Sequence, residues 1–260
     1  MKPMKTISVL LASAVICAAS ATAAFSQGAF APLAPLGDPP IPLDNPQSDA
    51  KVELGKMLFW DPRLGGDAST ACVTCHEPDQ GWAFGDALSR GYPGTVHWRN
   101  SQSVINSAYL GKLFWVGAAK SLEKQAPSAA KGAVAGNGEN DVMETRLAFI
   151  PEYRRRFNEV YGTEWPLIAD AWRSIAAFER TLVHNDTPVD RYLSGDKDAL
   201  SDEQVAGMEL FNGKAGCIQC HNGALATDRS TTTLAFPRPT AGKTTASPRS
   251  PSATRYSPRA

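Results

Sequence analysis

The chain has 260 residues, with 26 basic and 26 acidic side chains, a formal charge of zero and a hydrophobic share of 43%. That length and apolar share can fill the cores of two ordinary domains. The zero charge hides an asymmetry: residues 229–260 hold six basic residues and no acid, Lys2 and Lys5 add two, and the body between keeps 18 basic against 26 acidic residues. So acidic a body speaks against a nucleic-acid partner, and it either favours a basic protein partner through electrostatic steering or serves solubility alone.

Lys2 and Lys5 precede an apolar run from Ile7 to Ala19, and Ala21-Thr22-Ala23 closes it with small residues. This is the pattern of a secretory signal peptide over residues 1–24. The run is too short to span a bilayer and no other segment approaches that length, so an exported, soluble, periplasmic protein is expected. Residues 25–46 are dense in proline and are expected to run extended over the surface. Ser48 then reads as an N-cap, Leu54, Met57 and Leu58 mark one face of a helix from Asp49, and Pro62 ends it.

Cys72-Val73-Thr74-Cys75-His76 comes next. Two cysteines three apart with a histidine directly after them are the attachment signature of a c-type haem. Each sulfur adds to one vinyl group of the porphyrin, and the turn between them brings the His76 imidazole beneath the ring as iron ligand. The pattern returns at Cys217-Ile218-Gln219-Cys220-His221, 145 residues beyond the first, too far for one small cytochrome unit. A zinc site or a redox dithiol is the alternative for either motif. Once Cys17 leaves with the signal, however, the two motifs use all four remaining cysteines, which leaves none for a disulfide in an oxidising compartment. The chain therefore reads as two haem modules, the first over residues 47–140 and a helical segment with a partial second module over 141–228.

Between the motifs, the glycines and prolines from Gly81 to Gly94 exclude long helices. Val104, Ile105, Ala108 and Tyr109 predict a helix, and Ser121 to Ala126 another. Lys131 to Asn140 carries three glycines and is expected to be flexible. Val142–Tyr153 and Leu167–Val183 have the spacing of amphipathic helices. Ser201 and Gln204 form a capping box for a helix whose face is Val205, Met208, Leu210 and Phe211 and which leads into the second motif. His184 reads as a surface residue without a role. Residues 229–260 mix proline, serine, threonine and arginine and are expected to be a disordered basic tail. Nothing before the first motif alternates with period two, and the two haem motifs with the helical spacing between them make the fold class mostly α: two cytochrome c-like haem domains, the second incomplete, with helices from 140 to 200 packing across both.

Val52 through Leu64 (VELGKMLFWDPRL), Arg99-Asn100-Ser101, Leu113-Phe114-Trp115, Leu122 through Ala126, Ile150-Pro151-Glu152-Tyr153, Phe178 through Leu182 (FERTL) and Asp190 through Gly195 (DRYLSG) resemble the bacterial di-haem cytochrome c peroxidases. The likeness runs in order over residues 40–228. The same superfamily holds the methylamine-utilisation (MauG-type) enzyme, which oxidises tryptophans on a partner protein. The resemblance implies periplasmic reduction of hydrogen peroxide to water with electrons from a small donor protein, a cytochrome c or cupredoxin. It also implies two covalently bound c-type haems, a calcium ion and assembly as a homodimer. Electrons would enter at the haem on His221, pass Trp115 and reach the haem on His76, where peroxide would bind beside Gln125. The family's calcium-binding asparagine falls on Asn100.

The chain departs from the family at three places. The catalytic glutamate position holds Ala135, with Glu139 four residues later as its replacement. The distal histidine position holds Tyr92, and His97 is the nearest substitute, so an open first haem is expected. The likeness fades after Asp228 and no methionine follows His221 to cover the second haem, so a truncated chain is expected. The other readings are a MauG-type protein-oxidising enzyme and an electron-transfer cytochrome or inactive fragment.

Overall fold

A computed structural model describes residues 30–230. The expected signal peptide, and the expected basic tail beyond Ser230, lie outside the described residues.

The first helix forms where its caps allow. Ser48 Oγ accepts from the Lys51 N–H at 3.3 Å, helix α1 runs over Asp49–Trp60, and the Asp61 N–H closes it on the Leu58 carbonyl at 3.1 Å. Asp61 then caps a 3-10 turn, Pro62–Leu64, by accepting from the Arg63 N–H at 2.8 Å. The chain continues through α2 (Leu122–Ala130), α3 (Asn140–Ala148), α4 (Pro151–Tyr161), α5 (Ile168–Glu179), α6 (Pro188–Leu193) and α7 (Asp202–Asn212). Among the described residues the only extended pairing is three isolated bridges, so the fold is mostly α.

Helix α5 is central. Ten of its 12 residues are buried, and α1, α2 and α3 pack on it. Leu54, Leu58 and Phe59 of α1 meet Ile175 and Phe178 of α5, with Met143, Leu147 and Phe157 closing the same core. The approach of α1 to α5 depends on Gly55, where an added Cβ would lie 1.9 Å from the Ser174 carbonyl oxygen. This packing joins segments on either side of residue 140, and among the described residues no helix is long and apolar enough to cross a membrane.

Three local expectations change. The helix expected over Val104–Tyr109 is only a 3-10 turn, Ser107–Tyr109. Asn106 exchanges hydrogen bonds with the His184 backbone, N–H to Oδ1 at 2.9 Å and Nδ2 to carbonyl at 3.1 Å, and its own N–H donates to the Leu182 carbonyl. These ties spend on tertiary contacts the groups a helix would use. The single helix expected over Val142–Tyr153 is split into α3 and α4, because Pro151 offers no N–H to continue α3 but suits the first position of α4. The glycine stretch is packed rather than open: Gly136 and Gly138 are buried against the end of α2, where a Cβ at Gly136 would meet the Ala130 carbonyl at 2.3 Å.

From Phe30 the lead into α1 runs along the surface without helix or strand. The Leu36 N–H donates to Asp190 Oδ1 at 3.1 Å, the Tyr109 hydroxyl donates to the Gly37 carbonyl at 2.6 Å, and the Gly223 N–H donates to the Ala31 carbonyl at 3.2 Å. It thus straps α6 and the second motif to the body. Helix α7 carries the expected capping box, with the Gln204 N–H on Ser201 Oγ and the Ser201 N–H on Gln204 Oε1. Its apolar face is uncovered: no α7 residue is buried and Leu210 is 54% exposed.

Candidate functional site

The first motif folds as a 3-10 turn over Cys72–Thr74. The N–H groups of Cys75 and His76 both donate to the Cys72 carbonyl, at 3.1 and 3.0 Å, and Thr74 Oγ1 accepts from the Ala71 N–H at 3.0 Å. This turn sets the two thiols side by side and turns His76 inward. His76 Nδ1 lies 3.3 Å from the Trp82 carbonyl. A carbonyl can only accept, so Nδ1 carries the proton and Nε2 presents its lone pair, the tautomer that a metal-bound histidine needs. Burial holds the imidazole below its ordinary pKa, which keeps it neutral. Burial, with the Glu179 carboxylate adding to it, pushes the Cys72 thiol up to about 12, and burial raises Cys75 as well.

An aromatic wall stands behind this imidazole. Phe59 lies 6.4 Å from the His76 ring, and Phe59, Trp60, Trp82 and Phe178 contact one another at centroid separations of 5.3 to 5.9 Å. Among the described residues no three His, Cys, Asp or Glu side chains converge as a zinc cage would require. Two unpaired thiols beside one tethered imidazole and an apolar wall fit a covalently held haem.

The second motif repeats the wiring. The N–H groups of Cys220 and His221 donate to the Cys217 carbonyl at 3.2 and 2.9 Å, and His221 Nδ1 lies 3.1 Å from the Ala226 carbonyl. Phe211, from the helix before the motif, lies 6.2 Å from the His221 ring, much as Phe59 of α1 lies by His76. Here Cys220 and His221 are exposed.

Two positions at which the chain departs from the family are neighbours in space. The Tyr92 N–H donates to the Ala135 carbonyl at 2.7 Å, and a Cβ on Gly91 would lie 2.1 Å from the Val134 carbonyl. The Gly66 N–H donates to the Gly136 carbonyl at 2.7 Å, and Cys75 Sγ lies 3.2 Å from the Arg90 carbonyl. The loops around residues 66, 91 and 135 therefore meet beside the first motif. His97 faces elsewhere: its Nδ1 accepts from the Arg99 N–H at 3.2 Å and its ring stacks on Trp98 at 4.1 Å. Gln125 is half-buried on α2, one residue from the buried Ala126. Glu139 is exposed at the N-cap of α3, where its side chain makes no capping bond.

Trp115 and Asn100 come together. The Trp115 Nε1–H donates to the Asn100 carbonyl at 3.0 Å and the Arg99 guanidinium lies 5.4 Å from the indole centre. The turn carrying Trp115 is closed by the Leu113 and Ala119 backbones and places Phe114 at φ 61°. A non-glycine residue there is under strain that the surroundings must hold. Asn100 Nδ2 donates to the Phe84 and Asp86 carbonyls at 2.9 and 2.6 Å.

Sequence reasoning assigned no role to a buried polar group at the end of α5. Arg180 donates to Glu123, Glu123 accepts from Asn45, and Lys51 donates to Asn45 Oδ1. Although burial opposes it, hydrogen bonds from Asn45 and Arg180 hold the Glu123 carboxyl below its usual range. Glu179 lies beside this network with Oε2 buried and without a hydrogen-bond partner. Burial pushes its pKa up to about 8. The signal for it was available: Glu179 follows Ala171, Trp172 and Ile175 on the apolar stripe of α5, a place for a charge only where something nearby needs one.

A family model described as di-haem cytochrome c peroxidase matches residues 49–198. The chain belongs to the di-haem cytochrome c peroxidase family. That match takes in the first motif and stops short of the second. The chain is 57% identical over 239 residues to the cytochrome-c peroxidase IdrP1 of Pseudomonas sp. (strain SCT), covering 91% of this chain and 62% of the relative. It is 36% identical over 206 residues to the methylamine utilization protein MauG of Methylophilus methylotrophus, covering 78% of this chain and 62% of the relative. A crystal structure of a MauG-like protein associated with microbial copper homeostasis superposes with a TM-score of 0.68 at 29% identity, over 78% of this chain and 61% of that one. The chain thus spans less than two thirds of the length of these relatives.

Proposed function

We propose that this protein is a periplasmic di-haem peroxidase that reduces hydrogen peroxide to water with electrons from a small donor protein, a cytochrome c or cupredoxin. The observation that carries the reading is the twice-repeated motif, in which two thiols precede an imidazole whose Nδ1 is tied to a backbone carbonyl. Cys72, Cys75 and His76 would hold one haem, and Cys217, Cys220 and His221 the other. When bound, the haems supply the iron redox chemistry that peroxide cleavage needs.

The chain's own residues orient, exclude water and move protons. His76 keeps its ligand tautomer through Trp82. The loops meeting at Tyr92 and Ala135 bring no imidazole to the first site, since His97 is engaged with Arg99 and Trp98, and this favours an open position for peroxide. Gln125 is the candidate group to orient peroxide and Glu139 the candidate to carry the proton that O–O cleavage consumes. Trp115, fixed by Asn100 and Arg99, is the candidate electron relay between the two sites. A calcium ion at Asn100 belongs to the same proposal and would use Oδ1, because Nδ2 is committed to carbonyls.

The test is steady-state oxidation of a reduced cytochrome c by peroxide with the purified haem-loaded chain, alongside optical and spin-resonance spectra of the oxidised protein. A high-spin first haem and peroxide-dependent turnover are expected. A single low-spin species, or turnover no faster than free haem, would refute the reading.

A further inference from the structure

The aromatic wall behind His76 reaches the surface. The Trp82 backbone carbonyl lies 3.3 Å from His76 Nδ1, the Phe59 ring lies 6.4 Å from the imidazole and 5.9 Å from the Trp82 indole, that indole is 5.6 Å from that of Trp60 at 89°, and Trp60 is 38% exposed. Phe59 and Phe178 pack against both indoles at 5.3 to 5.9 Å. Indoles give up electrons far more readily than phenyl rings, so the two tryptophans are stations and the two phenylalanines are packing. This route runs from the histidine side of the first site outward, separate from the exposed turn that carries Trp115.

We propose that Trp82 and Trp60 form an electron path from the first haem site to the surface, and that Trp60 is its oxidisable terminus when peroxide is turned over without donor protein. The proposal rests on the peroxidase reading above. The chemistry balances as follows. Trp60 loses two electrons and two protons and takes one oxygen from water to become hydroxytryptophan. The electrons pass by Trp82 to the first site and, with two protons, reduce one peroxide to two waters by breaking its O–O bond. In net terms, one peroxide is consumed and one water formed for each oxygen that Trp60 gains.

Exposure gives the competing expectation. Trp98 is 69% exposed, Trp115 55%, Trp165 49% and Trp60 38%, so a diffusing oxidant would modify Trp98 first and Trp60 last of these four. The experiment treats the haem-loaded full chain with stepwise peroxide in the absence of donor, follows peroxide consumption, and maps oxygen addition at every tryptophan by peptide mass spectrometry. Trp60 is expected to be modified ahead of Trp98 and Trp165. In Trp82→Phe the modification of Trp60 is expected to fall about tenfold, a barrier change of about 1.4 kcal/mol. Trp60→Phe, whose side chain is partly outside the core, is the second variant; its haem absorbance is expected to bleach in fewer peroxide equivalents than that of the parent. Peroxide consumption with Trp60 unmodified, modification in order of exposure, or bleaching unchanged in Trp60→Phe would overturn the path while leaving the peroxidase reading intact. Absence of any peroxide consumption would overturn both.

Discussion

Replacing Gly55 by alanine sets two effects of opposite sign against each other. Alanine is worth about 1 kcal/mol over glycine inside a helix, so propensity alone predicts that Gly55→Ala stabilises α1. The new Cβ, however, would lie 1.9 Å from the Ser174 oxygen, 2.5 Å from its carbonyl carbon and 3.0 Å from the Phe178 Cβ. A comfortable carbon-to-carbonyl contact is about 3.3 Å, so the two backbones must part by about 1.4 Å. Because the obstacle is backbone, no rotamer change relieves it, and overpacking of this kind costs about 3 kcal/mol. The net loss is about 2 kcal/mol, a fall in melting temperature of about 4–8 °C for a unit of this size. Circular-dichroism melting of the haem-loaded chain measures it. Gly207→Ala is the control: Gly207 sits within α7 with nothing inside 4 Å of its Cβ position, and the change should be neutral or stabilising. A Gly55→Ala protein melting at or above the parent, or an equal loss in Gly207→Ala, would refute the argument.

The buried Glu179 links stability to pH. Its folded-state pKa of about 8 lies above the ordinary carboxylate value, so between those values the folded chain keeps a proton that the unfolded chain has released. Stability therefore falls as pH rises through that window, by up to about 1.4 kcal/mol per pH unit. Glu179→Gln should flatten the slope in denaturant titrations between about pH 5 and 8, and equal slopes in both proteins would discard the assignment. The Tyr153 hydroxyl donates to the buried Asp61 Oδ2 at 2.6 Å; Tyr153→Phe should cost about 1.5–3 kcal/mol in urea unfolding, and a loss below 0.5 kcal/mol would show the bond to be incidental. Replacing Cys72 and Cys75 together by alanine should remove the first covalent haem and leave the second, with the converse for Cys217 and Cys220. Intact-mass measurement counts them, and loss of both from either double variant would contradict independent attachment.

Features built from groups a few residues apart were legible in the sequence. The Ser48 cap, the stop at Pro62, the capping box at Ser201 and Gln204 and both attachment turns close through bonds spanning at most five residues, so residue order alone sets them. Features joining distant segments were not. Val104 to Tyr109 has helical spacing, yet Asn106 is drawn to His184. The glycines after Lys131 allow flexibility in isolation, yet Gly136 and Gly138 sit where an added Cβ would crowd the Ala130 carbonyl. That Tyr92 and Ala135 share a hydrogen bond, that Glu179 lies near enough to Cys72 to raise its thiol, and that Trp60 carries the wall behind His76 to the surface were decided by tertiary packing. The chemistry of attachment is thus a property of five consecutive residues. What surrounds the attached group depends on close approach between segments that residue order does not pair, and only the packed structure supplies it.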